Sequence, residues 1–419
     1  MLDRTLPPPF VKSSSFNLIT PEEKKLHNGV HLFFVPGGSQ DVLKIELIFE
    51  AGRWFENKLG AANFTTHLLS KGTKAKSSFE IAQLFDQYGA HLEVSPGLDF
   101  VSIALYTLNK NLAPVLKLLM EILSSPSFPE KELRQTQSVY IQNLKVNNEK
   151  TSFVASHLFR KNLFGDTHPY GMETGEKDVN VVQTSDLQKH FTEFIHSAKV
   201  FVSGKIEPVS KDLILEEFQQ IAPGNHAHNI KPVIKAHPGR QYVEKKDSVQ
   251  SSLRIGRRSV VRAHPDYVSN LFVSHILGGY FGSRLMKNIR EERGLTYGIS
   301  ASVHGLKHDS YLVIGADVNK ENVDLTFDEI RKELKNLRAT KIAAGELETT
   351  RNHFIGSLQS EITTPFAHAE KIKTIALFNL PRDHYQNMIS KIERITAVEI
   401  ADISEQYFHE DAFCEVAVG

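Results

Sequence analysis

Between Gly60 and Thr73 the chain reads GAANFTTHLLSKGT, and apolar Ala61, Phe64, Leu68 and Leu69 recur there at helical spacing. The pattern predicts one helix with a buried face. Asn63 and His67, one turn apart, project from it together, with Thr66 beside them. Upstream, LHNGVHLFFVPGG predicts two short strands turning at Asn28-Gly29, and VLKIELIFEAG a strand that ends at Gly52. Downstream, Ser77 and Glu80 have capping-box spacing ahead of FEIAQLFDQYG, a helix stopped by Gly89. AHLEVSPGLDFVSIALYTL predicts two strands and NLAPVLKLLMEILSS an amphipathic helix. A further helix starts near Pro129 and runs through ELRQTQSVYIQNLKVNNEK.

The order then repeats. LYTLNKNLAPVLKLLMEIL in the first half is similar to IGADVNKENVDLTFDEIRKEL in the second. Each is followed by a Glu-Leu pair opening a long helix, Glu132-Leu133 with Leu144 and Glu346-Leu347 with Leu358. Thr184 and Thr396 each start a helix leading to a strand that closes on Gly204 or Gly419. The aperiodic PGNHAHNIKPVIKAHPG between them reads as a linker. The expected architecture is therefore α+β with two similar halves, residues 1–222 and 240–419, joined by 223–239.

Composition narrows the function classes. Lys plus Arg and Asp plus Glu each total 49, so no net field draws nucleic acid or an anionic membrane. The lone Cys414 excludes internal disulfides and cysteine metal clusters and fits a reducing compartment, so a cytoplasmic location is expected. MLDRTLPPPF lacks the apolar core of a signal peptide, and Pro7, Pro8 and Pro9 predict an extended arm. No apolar run is long enough to span a membrane.

Chemically the Gly60–Thr73 helix stands out for what it lacks. In an H-x-x-E-H helix the positions of Asn63, Thr66 and His67 would be a zinc ligand, the general base and a second ligand. An amide and a hydroxyl bring no negative charge, and Thr66 is no base near neutral pH. A single histidine on a half-apolar helix is ordinarily a satisfied core residue.

The helix, the LFGDTHPYG stretch at Leu163–Gly171 and the run LGGYFGSRLMKNIREERGLTYGIS together resemble the pitrilysin/insulinase family of zinc peptidases, the inverzincins. The resemblance covers essentially the whole chain. It implies two homologous domains, each a mainly antiparallel sheet packed with helices, forming half of a clamshell around a peptide. It places the family's zinc histidines on Asn63 and His67 and its catalytic glutamate on Thr66. The third ligand falls on or next to Asn143, where Gln142, Asn143 and Leu144 are all non-acidic. No catalytic residue and no zinc are then expected in this chain alone.

The family's substrate-binding pair is retained as Arg290 and Tyr297, seven residues apart. The resemblance implies that they grip a peptide backbone, a guanidinium donating twice to a carbonyl and a phenol steadying an oxyanion. Gly278, Gly279 and Gly282 would let that backbone approach. Zinc positions lost with Arg and Tyr kept is the pattern of the family's non-catalytic subunits. A zinc-bearing homologous subunit is thus the expected partner, in a heterodimer or alternatively a homodimer, with peptides as substrates. The other class of function is a peptide-binding or structural assembly protein without proteolysis. His304 and His308 flank Gly305 in a strand-and-loop pattern, His226, His228 and His237 lie in the linker, and LGGYFGSR lacks the end of a phosphate loop. None of these makes a site.

Overall fold

The computed structural model describes Thr5, residues 16–224 and residues 232–419. The Pro7–Pro9 arm, His226 and His228 lie outside the described residues. Strands β1 (Glu22–Lys25), β2 (His31–Pro36), β3 (Val42–Phe49), β4 (His91–Pro96), β5 (Val101–Leu108) and β6 (Lys199–Gly204) belong to the first half. They form a sheet in the order β1-β2-β6-β3-β5-β4. The second sheet contains β7 (Gly239–Val243), β8 (Gln250–Ser259), β9 (Thr296–Gly305), β10 (Ser310–Asn319) and β11 (Cys414–Val418), in the order β7-β11-β8-β10-β9.

Apart from β1 the two orders are the same. β2 runs parallel to β6 as β7 does to β11, and every other pair is antiparallel. The repeat read in the sequence is thus a repeat of topology.

Helices follow the same plan. In the first half come α1 (Ala61–Leu68), α2 (Ser78–Gln87), α3 (Leu112–Ser124), α4 (Glu130–Asn148), α5 (Thr151–Phe164), α6 (Glu176–Asn180), α7 (Thr184–Phe194) and α8 (Pro208–Phe218). In the second come α9 (Tyr267–Gly278), α10 (Val323–Ala339), α11 (Ala344–Ser360), α12 (Pro365–Leu377), α13 (His384–Arg394) and α14 (Ala397–Tyr407). Capping sets several of their starts: Ser77 and Glu80 exchange hydrogen bonds at α2, and Thr396 and Glu399 at α14.

Two helices cross between the halves. α5 packs on β8 and β11 of the second sheet, while α12 packs on β2 and β6 of the first. Gly256 on β8 admits α5: a Cβ there would meet the Phe159 ring at 2.8 Å. The exchange explains β3, which is buried along nearly all its length. Leu43, Ile45, Leu47 and Phe49 face the first core, whereas Ile48 joins Ala369 and Ile372 of α12. Lys44 and Glu46, on the α12 side, bond to Glu370 and Lys373 of that helix. The predicted linker has no regular structure over 232–238, and β7 begins at its last residue, Gly239.

Candidate functional site

The α1 helix forms where its apolar spacing places it, with Phe64 and Leu68 fully buried. Its start is fixed from outside. Gly60 turns with φ 95°, and Glu56 Oε2 accepts from the amides of Gly60 at 3.0 Å and Ala62 at 3.1 Å. Burial pushes the Glu56 carboxyl up to about 7, outweighing Arg53, 3.7 Å from Oε1, and the two amides. Arg53 is itself engaged, donating to Met172 O at 2.8 Å and Thr174 Oγ1 at 3.1 Å. The sequence reading passed over Glu56, which carries no motif and acts through three-dimensional proximity.

Thr66 is fully buried and donates to Ala62 O at 2.7 Å within its own helix. His67 is half-buried, and burial with Lys71 nearby lowers its pKa. Asn63 Oδ1 is buried without a hydrogen-bond partner, beside a small cavity of about 150 Å³ bordered by Arg53, Glu56 and Pro96–Leu98. On α4, Tyr140 packs its ring 5.5 Å from Phe64, and half-buried Leu144 follows one turn later; Asn143 is exposed.

These residues do not fit a zinc ion. One imidazole, a neutral amide and a hydroxyl committed to the backbone supply neither the charge nor the three ligands that a catalytic site needs. Among the described residues no three His, Cys, Asp or Glu side chains converge as a metal site.

The second-half site lies at the edge of its sheet, where β9 pairs only with β10 among the described residues. Arg290 sits on a π-helix, Met286–Glu292, whose local sequence would pass for an ordinary turn of α-helix. Asn288 anchors this turn by donating to Glu329 at 3.0 Å and Glu333 at 2.8 Å, and it accepts from Arg293 at 3.0 Å. Gly294, at φ 64°, then turns the chain into β9.

Tyr297, 94% exposed, stands on that strand. The Arg290 guanidinium carbon is 5.7 Å from its ring centroid and 4.3 Å from that of Phe281, itself 61% exposed. Phe281 is the residue the sequence reading missed, because its run was read for its glycines. Those glycines serve the chain's own packing: a Cβ on Gly278 would lie 2.5 Å from Ala301 N, on Gly279 2.3 Å from the His275 ring, and on Gly282 2.9 Å from Tyr280. Gly298 on β9 has open space around it, next to a shallow recess of about 400 Å³ lined by Gly278–Phe281.

The HPYG stretch joins the halves. Tyr170 donates to Asp99 at 2.5 Å in the β4–β5 turn and accepts from the His308 amide at 3.2 Å in the β9–β10 turn. The Lys307 amide donates to Asp99 at 3.0 Å, and Trp54 stacks on His308 with centroids 4.0 Å apart. Burial raises both Asp99 and Tyr170. A Cβ on Gly171 would sit 2.1 Å from Gly165 O, so glycine is required to close the loop. His304 lies within β9 and His308 in the turn, so they make no ligand pair.

Fold and site together define a two-domain metallopeptidase scaffold that does not carry the zinc-ligand set in this chain. Residues 38–175 match the family described as insulinase (peptidase family M16), and residues 182–354 match the peptidase M16 inactive domain. The chain belongs to the M16 peptidase family. It is 24% identical over 389 residues to the "Non-peptidase homolog YmxG" of Helicobacter pylori, covering 89% of this chain and 84% of that one. It is 21% identical over 356 residues to the "Uncharacterized zinc protease YmxG" of Bacillus subtilis, covering 84% and 86%. Among solved structures, the peptidase M16 inactive domain from Pseudomonas fluorescens superposes with a TM-score of 0.87 at 22% identity, covering 95% of this chain and 98% of that one.

Proposed function

We propose that this chain is the non-catalytic subunit of a two-chain zinc endopeptidase. On this reading a homologous partner subunit supplies the zinc and the general base, and this chain supplies Arg290 and Tyr297 to hold the peptide. The observation that carries the reading is the state of Arg290. Its half-buried guanidinium is held against two aromatic rings at a free sheet edge, yet makes no hydrogen bond or ion pair among the described residues. Such a group is preorganised to donate its planar pair of N–H groups to a carbonyl.

A peptide added as a strand along β9 would bond to its edge backbone with little sequence selectivity, next to Tyr297. The phenol then lies where it can steady negative charge on a reacting carbonyl oxygen. Loss of chemistry at Asn63 and Thr66 supports a non-catalytic role for this chain, with which the name of the Helicobacter relative agrees, and so supports looking for the zinc on another chain. The proposed setting is a reducing, cytoplasmic one with peptides as substrates.

The test is a tagged pull-down from the native cells, with the eluate assayed for zinc and peptide cleavage. A second chain of similar mass carrying zinc and activity is the expected result. This chain recovered alone or as a homodimer, zinc-free and inert, would overturn the reading in favour of a peptide-binding or structural protein.

A further inference from the structure

On the face of the first sheet that α12 covers, strand register sets three basic side chains in a row. Lys25 of β1 lies directly opposite His31 of β2, and His31 lies beside Lys199 of β6. Burial lowers the His31 pKa against the pull of Glu23, and Lys25 and Lys199 add to the lowering because like charges on neighbouring strands repel. Little acid offsets the row. Glu23 is shared between His31 at 3.1 Å and Arg382 at 2.8 Å. Exposed Asp383 borders the same space, and Glu50, which attracts Lys199, is paired with Lys307 at 2.5 Å. Neither Lys25 nor Lys199 has a carboxylate within ion-pair distance among the described residues. Half-buried Lys199 donates to Ala376 O at 3.0 Å and to no other group among the described residues.

The row forms one wall of a cavity of about 620 Å³, within the range of small-molecule sites. Its other walls are mixed: Phe33 from the sheet, Ile372 and Ile375 from α12, and Leu380 and Tyr385 beyond it form an apolar side, while Asn17, Asn379 and Gln386 add neutral polar groups. A basic strip with apolar side chains across from it suits a ligand with both characters. Half-buried Lys199 and exposed Lys25, both with spare donors, select an anion, and the apolar side chains gain from burying a hydrocarbon chain.

We propose that this cavity binds an amphipathic carboxylate, its anionic head on Lys199 and Lys25 and its apolar chain along Phe33, Ile372 and Leu380. The site is separate from Arg290 and Tyr297 and does not depend on the peptidase reading. The experiment is calorimetric titration of the full chain with decanoate and, separately, with decanol. Decanoate is expected to bind saturably at one site, and decanol about ten-fold more weakly. Lys199→Met should erase that preference while leaving decanol binding unchanged. Lys25→Gln, on an exposed side chain that threatens no packing, should narrow the preference several-fold even if Lys199→Met fails to fold. Absence of saturable decanoate binding, equal affinity for the two probes, or an unchanged preference in folded Lys199→Met or Lys25→Gln would overturn the proposal.

Discussion

Lys44 of β3 places its Nζ 2.8 Å from Glu370 Oε1 of α12, an ion pair between the two halves of the chain. The pair belongs to a closed square, since Lys44 also meets Glu46 at 2.8 Å, and Lys373 meets Glu46 at 2.7 Å and Glu370 at 2.6 Å. Burial by itself would raise the Glu46 carboxyl. Lys373 and Lys44 overcome that and hold it at about 2, while Lys44 is raised in turn.

Glu46 is depressed in the folded chain, so its contribution to stability is present above the ordinary glutamate range and is lost as pH falls through about 2. The loss is expected to be about 2–3 kcal/mol. Denaturant titrations of the wild type and Glu46→Gln at successive pH values check this. Parallel acid profiles would show that the square contributes nothing.

Glu56 predicts a slope of opposite sign. Its carboxyl is raised to about 7, so the folded chain holds a proton that the unfolded chain releases near pH 4.5. Its contribution is therefore full below that pH and falls away as pH rises to 7, by about 2–3 kcal/mol. Glu56→Gln, which keeps an oxygen for the Gly60 and Ala62 amides, should flatten the profile between pH 5 and 7. A profile unchanged by the substitution would refute the assignment.

Restoring the family's glutamate at Thr66 should harm the chain. The position is fully buried and its hydroxyl is satisfied within the helix, so Thr66→Glu would strand a carboxylate at a cost of about 3 kcal/mol or more. The variant should unfold at lower denaturant and gain no zinc by metal analysis, even combined with Asn63→His. Full stability would show that room for the glutamate remains.

Local signals explain why some of this was legible in advance. Ser77 with Glu80 and the spacing of Phe64 and Leu68 act within a few residues, so capping and periodicity announce them. Which sheet α5 covers is not such a property, because its apolar residues specify a buried face and not the half that buries it. The π-turn beneath Arg290 is equally silent, being set by Asn288 reaching Glu329 and Glu333 far along the chain. The contact between Phe281 and Arg290 likewise carries no local signal.

Arg290→Ala, in an assembled complex with the proposed zinc-bearing partner, should lower kcat/KM by about 2–4 kcal/mol of transition-state stabilisation without loosening assembly. Phe281→Ala should be milder, about 0.5–1 kcal/mol, by freeing the guanidinium from one of its two rings. Steady-state kinetics and size-exclusion chromatography of both variants separate the two expectations. An intact complex with unchanged kinetics in Arg290→Ala would remove the proposed role.

Because α5 lies on the second sheet and α12 on the first, each half completes the other's interior. The chain is in effect a tethered dimer of two look-alike pieces that have traded an arm. A fragment ending near Gly224, made alone, would leave Phe33, Val35 and Phe201 uncovered and should aggregate. The same fragment made together with the remainder should assemble into the native shape with no peptide bond between them.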